Sequence, residues 1–337
     1  MIPLVNRILN VVLPLAATIM AGACSSTEII DQPSGTAKKG KTISLSVSSP
    51  QIQQTRGSHD NHKLRYIAKL VEGDMKDTRN LLERKEVIAS DGDATITFSV
   101  EEGLYTIVLF ADYIDSDEPD ETGCYTDCYY DTHDPDYPEI MKVSRFDVNN
   151  DNLDCFGEVI SVDKGEEEVV RDIVLERKVS KIRFVSTTAS PDSREVSGIQ
   201  FTKIPYYSQI NLSVANTGVE VSKHYSSGEQ YIPQGDLSGV EEAPELFYFY
   251  SLANKTGDLT ALAEVGFTVN YNDNTSKSIS IPLGVVKSVR NSITTVQGAF
   301  LSPEPKTLGD IILNLSTPDG WEGSASTSIT IDVDWEK

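Results

Sequence analysis

Asp147, Asn149, Asp151 and Glu158 stand at the first, third, fifth and twelfth positions of a calcium-loop pattern, and their oxygens suit a hard cation. Position six of that pattern calls for glycine at a sharp turn, and here it is Asn152. Neither flank has a helical period, so a helix-loop-helix hand is not expected, and an Asn/Asp-rich turn between strands accounts for the same residues without a metal. Calcium is therefore the one cofactor the spacing raises. His59 and His62 have the spacing of a metal pair, but they lie among Ser, Asp, Asn and Gln with no cysteine beside them. They read as solvated loop residues, since two histidines do not complete a metal shell. The chain has no Gly-x-Ser-x-Gly elbow, phosphate-cradling glycine loop, His-Glu-x-x-His helix or dinucleotide fingerprint. Carboxylates are too abundant to nominate a catalytic pair, because a sugar-cleaving dyad is defined by a separation that spacing in sequence does not give. Enzymatic chemistry is not expected.

The carboxylates concentrate between Asp112 and Glu139, where eleven Asp or Glu and five Tyr occur with three Pro and no Lys or Arg. Such a stretch reads as a long solvated loop between strands. Its tyrosine faces suit stacking on sugar rings, and its carboxylates suit accepting hydroxyl hydrogen bonds, so a glycan ligand is one reading of it. Cys124 and Cys128 lie in the loop and Cys155 beyond it. One disulfide and one free thiol is the simplest accounting; the pair Cys124–Cys128 is expected, with Cys155 as the alternative partner.

The chain of 337 residues carries 29 basic against 51 acidic side chains, a formal charge of -22, and 39% hydrophobic residues. It can bury sizeable cores, and its charge repels nucleic acid and anionic membranes. At the N-terminus, Arg7 precedes the apolar run Ile8 to Met20, which is too short for a permanent span and reads as an export signal, residues 1–23. Met20-Ala21-Gly22-Ala23-Cys24 resembles the bacterial lipobox, in which the cysteine takes up diacylglycerol; Cys24 is then a lipid anchor, and residues 24–41 are a polar, flexible tether.

The elements that position these residues read as strands. Thr42 to Ser48 alternates Ile43, Leu45 and Val47 with polar side chains, and Leu64 to Glu72, Glu86 to Ala89, Ala94 to Val100 and Leu104 to Ile114 follow between Gly, Asp and Asn turns. Asp77 to Arg84 is the one candidate helical turn. Val169, Arg171, Ile173, Leu175 and Arg177 share one side of a strand that runs almost directly into a second, Val179 to Ser186, with Ile182 and Phe184 on one face. This junction places a domain boundary near Lys178, giving units 42–177 and 178–337. Beyond it Val196 to Lys203, Ile210 to Val214, Leu246 to Ser251, Leu262 to Tyr271, Ser278 to Leu283, Ser292 to Leu301 and Ile311 to Leu315 look extended. A hairpin loop is expected at Asn272-Asp273-Asn274, and Ile329, Ile331, Val333 and Trp335 share a face of a closing strand. The expected class is all-β, two tandem antiparallel β-sandwiches, with one large barrel as the alternative.

The lipobox at Cys24, the strand Tyr105 to Tyr113, the junction Val174 to Arg183, the segment Ile293 to Leu301 and the closing Trp335 strand together resemble the fimbrillin-like lipoproteins of Bacteroides-type bacteria. The resemblance spans nearly the whole mature chain. It implies sandwiches of transthyretin-like, Greek-key type in a type V pilin: a precursor anchored in the outer membrane, exposed at the cell surface, that loses its first strand to an arginine-specific protease. A strand of a neighbouring pilus subunit then fills the groove. Arg56, in a polar run beside Gly57, is the expected cleavage point. The chain ends soon after its closing strand, so a tip or accessory subunit is expected rather than a stalk repeat, with a host or bacterial surface receptor or glycan as the further partner. A glycan-binding surface lipoprotein is the alternative.

Overall fold

Period-two patterning runs through the chain, and the computed structural model is built of strands. It describes residues 41–50, 62–75, 80–89, 92–115, 118–134, 136–187, 196–213, 219–227, 231, 244–254, 260–301, 311–316 and 327–331. In chain order the strands are β1 (Thr42–Ser48), β2 (Lys63–Glu72), β3 (Leu81–Ile88), β4 (Asp93–Ser99), β5 (Gly103–Ile114), β6 (Tyr130–Asp131), β7 (Ile140–Val143), β8 (Phe156–Lys164), β9 (Val169–Val174), β10 (Glu176–Arg177) and β11 (Val179–Ser186). They continue as β12 (Val196–Asn211), β13 (Val219–Tyr225), β14 (Glu245–Leu252), β15 (Thr260–Ala261), β16 (Val265–Tyr271), β17 (Ser276–Ile281), β18 (Lys287–Ser288), β19 (Ile293–Gly298), β20 (Ile311–Ser316) and β21 (Thr327–Ile331). A single 3-10 turn, Asp151–Leu153, is the helical content of the described residues. The fold is all-β, as the patterning requires.

Before Lys178 two sheets face each other, one in the order β4-β1-β9 and the other β10-β8-β5-β2-β3. Ile43, Leu45, Val47, Ile96 and Phe98 of the first meet Tyr66, Leu70, Ile107 and Leu109 of the second. At Gly157 the ladder closes tightly: an added Cβ would come within 3.1 Å of the Leu109 carbonyl and of Leu212, so a side chain there would force these neighbours to give by a few tenths of an ångström. The strands after Lys178 form the sheet β14-β11-β19-β20-β21 and most of the facing sheet β17-β16-β12-β7-β6, in which β13 also pairs with β12; β7 and β6 reach that sheet from before Lys178, Lys142 pairing with Gln209, so the sheet crosses the expected boundary. An aromatic stack fills the space between them, Phe184 lying 4.5 Å from Phe247 and Phe247 standing edge-on to Phe201 and Phe267 at 4.9 and 5.0 Å. Most strand pairs are antiparallel, but β1 with β9 and β11 with β19 run parallel. In both halves the first strand therefore lies between an antiparallel and a parallel neighbour.

Several expected elements take a different form. Val169 to Arg177 is not one strand: Leu175 is buried and donates its N–H to the Ser48 carbonyl at 2.8 Å, so β9 belongs to one sheet and β10 to the facing one. The candidate helical turn at Asp77 to Arg84 is excluded from Leu81 onward, because Glu83 and Arg84 pair with Leu70 and Lys69 of β2; residues 76–79 lie outside the described residues. Val196 to Asn211 is a single strand of 16 residues that continues past Pro205. Asn272 to Thr275 forms the expected hairpin loop, with Asn274 at φ 63. The closing strand is present as β21, paired with β20; Val333 and Trp335 lie outside the described residues.

Arg177 locks the junction. Its Nε donates to both oxygens of Asp154 at 2.9 and 3.0 Å, and its Nη1 donates to Asn291 at 3.2 Å, so one buried guanidinium grips a residue from each side of Lys178.

Candidate functional site

Two places in the first half combine unusual geometry with candidate residues. The first is the seat of β1. Ile43, Leu45 and Val47 are 0% exposed, and β1 is hydrogen-bonded along both edges, from Thr42 to Ser48 against β4 and from Ile43 to Ser48 against β9. Alternation explains this: three apolar side chains point into the core, and Ser44 on the opposite face reaches Thr97 at 3.1 Å. The far edge of β9 pairs with no further strand among the described residues, and Val170 and Val174 on it are 61% and 59% exposed.

The second place is the outer face of β2, β3 and β5. Leu64, Tyr66, Ala68 and Leu70 of β2 point into the sandwich, which leaves Arg65, Ile67, Lys69 and Val71 on the outer face. The acidic stretch expected to be a solvated loop closes over that face instead. Tyr129 and Tyr130 pack with Ile67, Val71 and Phe110 in a third core that also takes in Tyr250 and Leu252 from the second half. Asp112, Thr132 and Glu139 are buried as well. The physical reason is Arg65, which is fully buried and draws carboxylates to it. Its Nε and Nη2 donate to the two oxygens of Asp112 at 2.9 and 2.8 Å, Nη2 also reaches Asp127 at 2.8 Å, and Nη1 reaches Glu86 at 3.2 Å and the Tyr125 carbonyl at 3.1 Å. Glu86 takes Arg84 Nε at 2.6 Å on its other oxygen, and Arg84 Nη2 ties back to Thr132 Oγ1 at 2.7 Å.

Burial acts to lower the Arg65 pKa, but Asp112, with Glu86 and Asp127, outweighs it and holds the guanidinium above its usual value. Asp127 loses solvation too, yet Arg65, the Thr132 N–H and His133 keep it below the usual carboxylate range. Among the described residues Lys69 has no such counter-ion in contact: burial, helped by the charge of Arg84, brings it down to about 7, and its Nζ donates to the Pro138 carbonyl at 3.0 Å.

The other candidate residues are scattered. Cys24, Arg56 and His59 lie outside the described residues. His62 is not a solvated loop residue, for its ring contacts Tyr129 Oη at 3.3 Å and Asn152 Nδ2 at 3.1 Å. Cys124, Cys128 and Cys155 are free thiols in the structure, and the Arg65 contacts restrain the loop that holds the first two. Burial pushes the Cys155 thiol up, which leaves it inert.

Of the calcium-pattern residues, Asp151 accepts from Lys181 Nζ at 2.9 Å and Tyr250 Oη at 2.8 Å. Asn149, at φ 54, donates its backbone N–H to the Tyr248 carbonyl and accepts the Tyr248 N–H on its side-chain Oδ1, both at 2.8 Å. Asp147 is contacted by Tyr225 Oη at 3.4 Å, and Glu158 sits in β8 with its carboxylate on the Val159 N–H at 3.3 Å. They are not brought together as ligands; among the described residues the acidic, His and Cys side chains that converge are Glu86, Cys124 and His133. Sequence reading passed over Arg65 and Lys69, whose signal was two cations four residues apart in an otherwise apolar strand.

The family described as "Family of unknown function (DUF6562)" matches residues 35–337. No curated protein matches the chain. Among solved structures, similarity extends to a candidate polysaccharide-binding protein from Bacteroides thetaiotaomicron, at 11% identity and TM-score 0.47 over 88% of this chain and 99% of that one. It extends to a fimbrial assembly protein from Parabacteroides distasonis, at 11% identity and TM-score 0.42 over 86% and 99%. A third is the tip fimbrial protein Mfa3 from Porphyromonas gingivalis, at 9% identity and TM-score 0.38 over 87% and 99%.

Proposed function

The chain belongs to the family of unknown function DUF6562, and we propose that within it this protein is a surface fimbrial subunit or adhesin, of the tip or accessory kind, that assembles by exchange of β1. In this reading residues 42–177 and 178–337 are two sandwich domains, Cys24 carries the lipid that delivers the precursor to the outer membrane, and cleavage at Arg56 releases Thr42–Ser48. The fimbrillin-like resemblance of the sequence supports the class. The observation that carries the mechanism is the seat of β1. The strand fills the core of its sandwich, yet it precedes every other strand among the described residues, so a single cut between residues 49 and 62 severs it without interrupting any of them.

Its removal uncovers three apolar pockets and the facing edges of β4 and β9, which is the surface that β-augmentation requires. Side chains of this size contribute about 1.5–3 kcal/mol each when buried, so an empty groove is costly and a donor strand with apolar residues at alternate positions relieves it. The counterpart strand β11 is internal to the chain and cannot leave in this way. The acidic strap offers the alternative use of the same surface protein, a glycan stacked on Tyr137, which stays exposed while Tyr129 and Tyr130 are buried. Gel analysis of material sheared from cells separates the two. A ladder of polymers supports exchange, and a single monomer band favours a binding lipoprotein.

A further inference from the structure

We propose that Glu86, Cys124 and His133 form a binding site for a borderline-soft divalent cation of the zinc class, which clips the acidic strap to β3. Ligand atoms of the three side chains lie within 4.8 Å of one another, although the residues come from β3 and from two separate points of the strap. A tetrahedral ion with bonds of about 2.0–2.3 Å holds its ligands roughly 3.5 Å apart, so rotations of the half-buried Cys124 and the exposed His133 close the set on Glu86, whose buried carboxylate is held in place by Arg65, Arg84 and the Tyr125 N–H. Sulfur, imidazole nitrogen and carboxylate oxygen is a donor combination that zinc accepts and that calcium, which takes oxygen, does not.

Asp127 supplies the outer support. Its Oδ2 accepts from His133 Nδ1 at 2.9 Å, which fixes the ring and leaves the lone pair on Nε2 for an ion, the carboxylate–histidine arrangement that metal sites use to orient a ligand. Asp127 is itself anchored by Arg65 Nη2 at 2.8 Å and by the Thr132 N–H at 2.7 Å. The charge balance points the same way. Asp112, Asp127 and Glu86 give three negative charges against two positive from Arg65 and Arg84. Binding expels the Cys124 thiol proton to solvent, the thiolate brings the cluster to two net negative charges, and a dication neutralises them. Three protein ligands leave a fourth position for water. The clip would do for this strap what a disulfide does for other exported loops, with the free Cys124 thiol as one of its jaws.

The test titrates the reduced full-length protein with Zn2+ against a chromophoric chelator, and with Co2+ followed by absorption. One ion per chain is expected, with a thiolate-to-cobalt charge-transfer band and a rise in Tm on adding zinc. Cys124→Ser and His133→Ala should each weaken zinc binding by about tenfold or more, Cys124→Ser should abolish the band, and Cys128→Ser should leave both intact. An unchanged apo Tm in Cys124→Ser shows that loss of binding is not loss of fold. Zinc affinity unchanged in Cys124→Ser and His133→Ala, no thiolate band in the wild type, or loss of the site in Cys128→Ser overturns the assignment.

Discussion

Arg65 and Asp112 stand opposite each other in the ladder of β2 and β5, and their side chains meet in a two-point contact, Nε to Oδ1 at 2.9 Å and Nη2 to Oδ2 at 2.8 Å, with neither exposed to solvent. An ion pair placed on a sheet face is open to water unless something covers it, and here the acidic strap does so. Asp127 and the Tyr125 carbonyl approach the same guanidinium from that strap. That cation collects two separate points of the strap, beside the Arg84–Thr132 and Lys69–Pro138 contacts, so removing it should loosen the strap.

Arg65→Met strands Asp112 in a buried site without its counter-charge. The expected loss is about 3–5 kcal/mol in denaturant unfolding, typical of removing one partner of a buried pair. Replacing both partners, Arg65→Met with Asp112→Leu, should cost less than the single change. Faster proteolysis between residues 115 and 139 should accompany the single variant.

Lys69 gives a pH signature. Folded, it titrates at about 7; unfolded, it keeps its ordinary 10.5. Between those values the unfolded chain holds a proton that the native chain lacks, so this residue's contribution makes stability rise with pH from about 7 to about 10.5, and its penalty is fully present below 7. Lys69→Met should therefore be more stable than the wild type at pH 6, by about 2–4 kcal/mol, and the advantage should shrink as pH approaches 10.5. Unfolding curves at several pH values check this; a constant difference would show that Lys69 is not buried as a neutral amine.

The architecture was legible wherever burial on one face imposed alternation, as at Ile43, Leu45 and Val47 or at Ile182 and Phe184. It was not legible where both faces are covered or where a partner distant in sequence decides. Phe156–Lys164 went unrecognised because Gly157 interrupts its pattern and an Asn/Asp run precedes it, yet β8 is an inner strand of its sheet. The turn residue Pro205 hid the continuity of β12. Composition suggested a solvated loop from 112 to 139, and nothing local to it shows that Arg65, some fifty residues earlier, collects its carboxylates. The convergence of Glu86, Cys124 and His133 is likewise set by the fold and not by spacing.

Leu45→Ala measures how firmly β1 is held. Leu45 is fully buried among Ile96, Phe98 and their neighbours, so the change should lower the stability of the uncleaved protein by about 2–5 kcal/mol. After β1 has been exchanged for a donor strand, the same change should have no effect, because the residue is no longer in the core.

Cys24→Ser tests the anchor. Lipid labelling and detergent partitioning should both be lost, while the melting of the folded part should not change, because Cys24 precedes the first described strand by eighteen positions of mostly polar sequence. Unchanged partitioning in the variant would rule the anchor out.

The central claim is that β1 can be cut free and replaced, and limited trypsin treatment of the folded protein tests it most directly. N-terminal sequencing should find a new start at Gly57, since arginines within strands such as Arg171 and Arg183 are held in their ladders, whereas the sequence around Arg56 is polar and carries Gly57. Size exclusion should then show Thr42–Ser48 lost when a synthetic strand with apolar residues at alternate positions is present, with one peptide bound per chain. Resistance at Arg56, or a cut that leaves Thr42–Ser48 in place with no peptide taken up, would contradict strand exchange at this groove.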